Sequence, residues 1–547
     1  MSISPDHSWW RHEVIYQVYP RSFQDTNNDG VGDLRGIIRR LDYLASLGIG
    51  TIWVTPIYPS PMKDFGYDIS DYENIHPLFG SMKDFDELLK EVHQRGMKLL
   101  LDLVPNHTSD QHPWFIESKS SRDNPKRNWY LWHDAGPNGT PPNNWRAAFG
   151  GTAWEWDEKT RQYYYHAFLR EQPDLNWRNP EVQTAMFNMM RFWLEKGVDG
   201  FRIDVLWHLI KDDQFRDNPV NPDYQPYMAT CDELLSVYST DQFEVHDIVK
   251  KMRAVLNEYD DRVMIGEIYL PISKLVTYYG TDNNGVQLPF NFQLITLPWS
   301  SQKIAAAIQE YEAALPPGGW PNWVLGNHDQ PRIASRVGLH QARVAAIMLL
   351  TLRGTPTLYY GDEIGMRDVP IPKDEVQDPQ GINMPEKNLS RDPARTPMQW
   401  SGENEYAGFS NTRPWLRIDR NFRKTNVESE DHDENSMLTL HRKLLKLRNN
   451  ERSLRVGSYH PLYSDHQMLS YIRKADGSDA FMVLLNLTSR VTYFKHNDML
   501  FTGIIEVCTS TELEGQEVKN DFMLSGDEGV VIRIKDTNLP LAQQRKQ

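Results

Sequence analysis

The chain is 547 residues long and carries 59 Lys and Arg against 74 Asp and Glu, a formal net charge of −15. Such an acidic surface repels phosphate backbones and anionic lipid, which argues against a nucleic-acid or membrane-surface role. The 39% hydrophobic and 24% charged composition excludes wholesale disorder, and the length fits three or four domains or one large barrel with appendages.

Short β-branched runs alternate with segments of helical period over most of the first 450 residues. A strand is predicted at 14–19, an amphipathic helix at 34–47 closed by Gly48, a strand at 51–55, a helix at 85–95 closed by Gly96, and a strand at 98–104. Strand, helix, strand in this order implies parallel strands joined by right-handed crossovers. The regularity breaks over 105–174, a stretch crowded with Trp, Asn, Pro and Gly, which reads as an inserted domain. It then resumes with helices at 181–196, 247–259, 302–314 and 341–352, strands at 200–204, 263–266, 288–290, 323–325 and 357–360, and a closing helix at 437–449. The count approaches eight strand–helix units, which predicts an α/β fold with a closed (β/α)8 TIM barrel over 1–104 and 175–454. The Pro-, Asp- and Asn-rich segment 365–435 reads as a long loop over the barrel mouth. Alternating short strands at 469–473, 480–487 and 529–534 predict a C-terminal antiparallel β domain over 455–547, frayed at 542–547. No fixed-period repeat or low-complexity tract is present.

Barrel enzymes hold their catalytic side chains at the C-terminal ends of the strands, so polar residues that close apolar runs are the candidates. Four runs end this way, in DLVPNH (102–107), GFRID (200–204), GEI (266–268) and NHD (327–329). A lone carboxylate after a strand is ordinarily a helix cap or half of a loop ion pair. Three carboxylates, an Arg and two His at corresponding ends of one barrel would instead build an acidic pocket. The 17 Trp, 25 Tyr and 20 Phe supply flat faces of the kind that stack on sugar rings.

In order and spacing these four segments resemble the signature regions of the α-amylase superfamily, glycoside hydrolase family 13. QPDLN (172–176) is similar to the extra signature of its oligo-1,6-glucosidase subfamily, and IYQVYPRSF (15–23), GYDISD (66–71) and ARTPMQW (394–400) are similar to bacterial α-glucosidases of that group. The resemblance implies a retaining exo-acting α-glucosidase on short oligosaccharides or disaccharides, including α-1,6-linked ones. It implies Asp204 as nucleophile, Glu267 as general acid/base, and Asp329 as transition-state stabiliser. Arg202, His107 and His328 are implied around the same glucose, Tyr67 beneath it as a platform, and an Asp64–Arg395 pair closing the pocket. Phe149 and Phe168 are implied at the aglycone entrance, and Val205 as a determinant of linkage. A glucosyl-transferring or isomerising relative, of sucrose isomerase or trehalose synthase type, would use the same residues. A non-catalytic partner subunit would carry a membrane span and an incomplete catalytic set, and neither is present in the sequence.

The segment 25–33 alternates oxygen-bearing side chains around Gly30, a pattern that suits a hard cation, but Gly36 stands where an EF-hand would place its closing Glu. The resemblance implies a structural Ca2+ or Mg2+ on Asp25, Asn27, Asp29, Asp33 and the carbonyl of Val31. Two distant cysteines, Cys231 and Cys508, leave no disulfide framework and suit a reducing compartment. No basic and apolar leader opens the chain, and the longest apolar run, 344–352, falls far short of the roughly 20 residues that span a bilayer. The cytoplasm is the expected location, and the oligomeric state is left open.

Overall fold

The computed structural model describes residues 8–495 and 500–538. The chain ends, including the expected frayed segment 542–547, lie outside the described residues. Eight parallel strands close into a barrel: β1 (Ile15–Val18), β2 (Thr51–Val54), β3 (Lys98–Leu103), β4 (Gly200–Ile203), β5 (Val263–Gly266), β6 (Leu288–Asn291), β7 (Asn322–Val324) and β8 (Thr355–Tyr359). Each pairs with its sequence neighbours, and Ile15 opposite Thr357 closes the ring. A strand pair in the register Asp102↔Arg202 and a second in the register Arg202↔Ile265 put β3, β4 and β5 side by side. Their C-terminal ends therefore open onto one spot.

Local chemistry accounts for the crossovers. Ser81 caps the helix Met82–Gln94 in a reciprocal box with Asp84, and Asn179 followed by Pro180 starts the helix Pro180–Lys196. The predicted helix 34–47 is two helices, Leu34–Arg39 and Leu41–Leu47, broken at Arg40. Apolar period alone cannot show that break, because both halves keep one buried face. Gly200 is a steric requirement: at φ 153°, a Cβ there would stand 2.1 Å from the Val263 carbonyl oxygen, so only Gly lets β4 approach β5.

Between β3 and the helix Pro180–Lys196 lies a small sheet of strands Trp132–His133, Gln162–Tyr165 and Trp154–Asp157, packed around the buried Trp145 and Trp154. A helix, Pro113–Ser120, opens this insert, although the sequence there shows little helical period. After the barrel, an antiparallel six-stranded sheet runs from Ser458 to Thr537, with Met468–Lys474, Ala480–Asn486 and Gly529–Thr537 at its centre. Among the described residues no helix is long and apolar enough to cross a membrane.

Candidate active site

Asp204 and Glu267 stand one residue past β4 and β5, and their backbone amides extend the barrel ladder to Leu103 and Ile203 at 2.8 and 2.9 Å. Arg202, two residues before Asp204 on the same strand face, is wholly buried and reaches three carboxylates: Asp102 Oδ1 at 2.8 Å, Asp204 Oδ1 at 2.7 Å and Glu267 Oε2 at 2.7 Å. Burial would push its guanidinium down, but Asp102 and Glu267 hold it firmly charged. Burial raises Asp204 and Glu267; the charge of Glu267 raises Asp204 further, while a hydrogen bond with Asp204 partly lowers Glu267. Such a pair retains a proton where isolated carboxyls would lose theirs. Asp102, pushed up to about 6 by burial, also accepts Trp53 Nε1 at 3.2 Å and the Tyr67 hydroxyl at 3.0 Å.

Val205 follows Asp204 in a left-handed conformation, φ 35° and ψ 47°, which a β-branched side chain rarely adopts. This turn aims its amide at Glu267 Oε2, 2.9 Å away. Strain of this kind costs about 1 to 3 kcal/mol and persists where the surroundings hold it in place.

Asp329 follows His328 beyond β7 and is the most acidic of the set. Burial disfavours its charge, but His328, Arg391 and Arg395 outweigh that and hold it well below the usual carboxylate range. Arg395 donates to Asp329 Oδ1 at 2.8 Å and to the His328 carbonyl at 2.7 Å. The expected Asp64–Arg395 pair is not formed. Asp64 pairs with Arg391 at 2.7 Å, and the same guanidinium grips Asp329 at 3.0 Å and the buried Asp378 at 2.6 Å. Two arginines four residues apart in SRDPAR could each serve, and sequence offers no means of telling which one faces Asp64. Arg395 is set deeper, against the Tyr19 ring at 5.6 Å.

His107 donates from Nε2 to the Tyr67 carbonyl at 3.1 Å and accepts at Nδ1 from the Asn106 amide at 3.1 Å. That amide cannot be reversed, because its oxygen accepts Lys211 Nζ at 2.8 Å while its nitrogen donates to Asp174 at 2.9 Å. Burial moves His107 down to about 4, so the ring is neutral at ordinary pH. Lys211 and Asp174, 2.5 Å apart and buried, join the barrel to the insert. Lys211 does not stand out from sequence, since a Lys on a loop is ordinarily solvated, and Asp174 is marked there only as part of QPDLN.

Asp204, Glu267 and Asp329 face one cavity of about 440 Å3, within the usual range for a small-molecule site, while Arg202 and Arg395 lie behind its wall. Its inner end holds Asp64, Tyr67, His107, Asp204, Glu267, His328, Asp329 and Arg391. Tyr67 stacks on His328 with ring centroids 5.3 Å apart and planes 7° from parallel. Phe149 and Phe168 meet at 5.6 Å, and Arg391 lies over the Phe149 ring at 4.6 Å. Val205, Trp207, Tyr269 and Leu270 extend this wall, and Asp232, Ser236 and Thr240 come from the long segment between β4 and the helix Val245–Leu256. That segment carries neither period nor motif, so nothing in its sequence marks it as part of the site.

The segment 25–33 lies apart from the cavity lining. Its oxygens turn onto its own backbone: Asp25 accepts amides of Asn27, Asn28 and Gly30, Asp29 accepts that of Val31, and Asp33 caps the helix Leu34–Arg39 through Gly36. Among the described residues no group of three or more His, Cys, Asp or Glu is arranged to hold a metal ion. The donors are all hard oxygens, which fits Ca2+ or Mg2+ in kind, while Asp33 is already engaged with Thr26 and Gly36.

Comparison with known proteins matches residues 17–457 to the α-amylase catalytic domain. The chain is 37% identical to the oligo-1,6-glucosidase of Parageobacillus thermoglucosidasius, over 96% of this chain and 99% of that one. The structure is similar to that of the alpha-glucosyl transfer enzyme XgtA, with TM-score 0.91 and 36% identity over 96% and 100% of the two chains. It is also similar to the isomaltulose synthase SmuA from Protaminobacter rubrum, with TM-score 0.89 and 34% identity over 96% and 99%. The chain belongs to the α-amylase family, glycoside hydrolase family 13, among its oligo-1,6-glucosidase-like α-glucosidases, and is an enzyme acting on α-glucosides.

Proposed function

We propose that the enzyme removes the terminal glucosyl group of short α-glucosides by double displacement and passes it to a sugar hydroxyl, with water as the competing acceptor. The observation that carries this reading is the two-part cavity. Its inner end is blocked by the Arg391 clamp on Asp64, Asp329 and Asp378, which admits a chain terminus and excludes a continuous polymer. Its outer half is walled by Phe149, Phe168, Trp207 and Tyr269, faces on which a second sugar can stack while water is displaced. The likeness to XgtA and SmuA supports transfer. A second reading, hydrolysis as the main outcome, is favoured by relatives named as oligo-1,6-glucosidases.

In this reading an Asp204 oxygen attacks the anomeric carbon as the glycosidic C–O bond breaks, and the Glu267 proton goes to the leaving oxygen. In the second step an acceptor hydroxyl attacks the same carbon, the bond to Asp204 breaks, and the acceptor proton returns to Glu267. Sharing of the Arg202 guanidinium by both carboxyls, at 2.7 Å each, suits this route, because inversion needs room for a water between them, at roughly 6.5 to 9.5 Å. Arg202, 2.7 Å from Asp204, favours its ionised form against the burial that raises it. Asp329, His328 and His107 grip sugar hydroxyls over the Tyr67 platform. Incubation with concentrated maltose or sucrose distinguishes the readings: new di- or trisaccharides are expected, and accumulation of free monosaccharides alone would leave only hydrolysis.

Val205 touches the aglycone half, so its bulk should affect how the second sugar leans. Val205→Thr is expected to lower the ratio of kcat/KM for isomaltose over maltose, by up to the roughly 1 to 3 kcal/mol that a methyl-sized change in a pocket can supply. An unchanged ratio would remove Val205 as a determinant.

We place a structural Ca2+ or Mg2+ at Asp25, Asn27, Asp29, Asp33 and the Val31 carbonyl. An ion bound only by the folded chain adds about 2.7 kcal/mol at 100 times its dissociation constant. Chelation should therefore lower Tm and leave the initial rate of folded enzyme intact, and Asp29→Ala should do the same. Immediate loss of activity with an unchanged melting curve would contradict a structural role. The two free cysteines suit a cytoplasmic enzyme.

A further inference from the structure

Behind His328, away from the cavity, lies Gln17 of β1, wholly buried, with its amide nitrogen 2.8 Å from His328 Nδ1. The imidazole is clamped between Tyr19 and Tyr67, at 5.7 and 5.3 Å between ring centroids, with the Trp53 edge at 6.3 Å. It therefore cannot turn over to exchange its two nitrogens. Nε2 faces Asp329 Oδ2 at 3.3 Å. An ionised carboxylate only accepts, so at this ion-pair distance, outside hydrogen-bond geometry, it favours a hydrogen on the nearer nitrogen without enforcing it. In a neutral ring Nδ1 is then bare, and a bare nitrogen requires a donor, which the Gln17 amide supplies. The opposite tautomer would set the Nε2 lone pair against the carboxylate and would require the Gln17 amide to be reversed, its oxygen accepting from Nδ1–H. The Gln17 carbonyl oxygen has no protein partner among the described residues, so the amide's directed contact is the one on His328.

We infer that Gln17 is a positioning residue of this active site, which never touches substrate but fixes His328 as the Nε2–H tautomer so that a donor always faces Asp329 and the bound sugar. The inference deepens the proposed double displacement, in which His328 grips the glucosyl group. The same device stands behind His107, where Asn106 plays the part of Gln17. The charged and titratable groups around His328 are Asp329 beside it, Arg395 on its carbonyl, Arg391 and Arg202 across the cavity, and the hydroxyls of Tyr19 and Tyr67. The cationic groups and the burial both oppose a second proton on the ring.

The test is the nitrogen spectrum of the histidine-labelled enzyme, with the His328 signals assigned by their loss in His328→Gln. The parent should show a protonated Nε2 and a bare Nδ1 on both sides of pH about 6.5, the ordinary imidazole value. Gln17→Leu should give mixed tautomers and lower kcat/KM. At metal sites, removing a group that orients a histidine costs about 10- to 100-fold, and the same order is expected here. Gln17→Glu should instead draw a proton onto Nδ1, giving an imidazolium and a new loss of kcat/KM as pH falls. An Nδ1-protonated ring in the parent overturns the inference, and so does an unchanged Nε2–H ring in Gln17→Leu, whatever its activity. The parent spectrum needs neither turnover nor a variant that folds, so it stands apart from whether the glucosyl group goes to sugar or water.

Discussion

Asp204→Asn is expected to abolish turnover on every substrate, because an amide can neither bond to the anomeric carbon nor carry the charge that Arg202 pairs with at 2.7 Å. Glu267→Gln should fail differently. It keeps the nucleophile and loses only proton transfer, a contribution worth roughly 10²- to 10⁴-fold. A substrate whose leaving group departs without a proton should therefore restore the first step in the Glu267 variant and not in the Asp204 variant. Single-turnover release of the leaving group measures this directly. Equal failure of the two variants on such a substrate would mean that the roles are assigned wrongly, even though both carboxyls line one cavity.

Arg202→Met is expected to have the largest effect on the fold. It leaves Asp102, Asp204 and Glu267 buried without their shared cation, and breaking such a group costs about 3 to 5 kcal/mol. The pH dependence gives the loss a sign. Burial already raises all three carboxyls in the folded chain, and removing the arginine raises them further. The folded variant then holds more protons than the unfolded one, and stability falls as pH rises above the ordinary carboxylate range near about 4. The Tm deficit against the parent should thus be smaller on the acid side and grow toward neutrality. A deficit independent of pH would show that Arg202 fills space rather than balancing charge. Activity should be lost in parallel, since a protonated Asp204 is no nucleophile.

The barrel was legible because its signals are local. Apolar β-branched runs, helical period and closing glycines such as Gly48 are written within a dozen residues, and parallel strands follow from their alternation. The catalytic carboxylates were legible for a related reason, since Asp204 and Glu267 directly follow their strands and Asp329 closes the short segment beyond β7. The clamp at the closed end was not. Whether Arg391 or Arg395 meets Asp64 depends on how a long loop folds back over the mouth, and Asp64 and Arg391 are more than 300 residues apart in sequence. The Lys211–Asp174 pair was hidden likewise, because burial of a lysine is decided by the insert packing onto the barrel. Val205 was singled out for its bulk, while its left-handed backbone and its amide bond to Glu267 emerge only from the turn by which the chain leaves β4. Gln17 sits inside a motif noted for its likeness alone, and its place behind His328 depends on barrel closure joining β1 to β8.

The central claim is that the glucosyl group passes through a covalent link to Asp204, and its most direct test is the anomeric form of the first product. Proton NMR within the first seconds of reaction, before mutarotation, should show α-glucose on hydrolysis and α-linkages in any transfer product. An initial accumulation of β-glucose would mean a single inverting displacement, and would contradict the account.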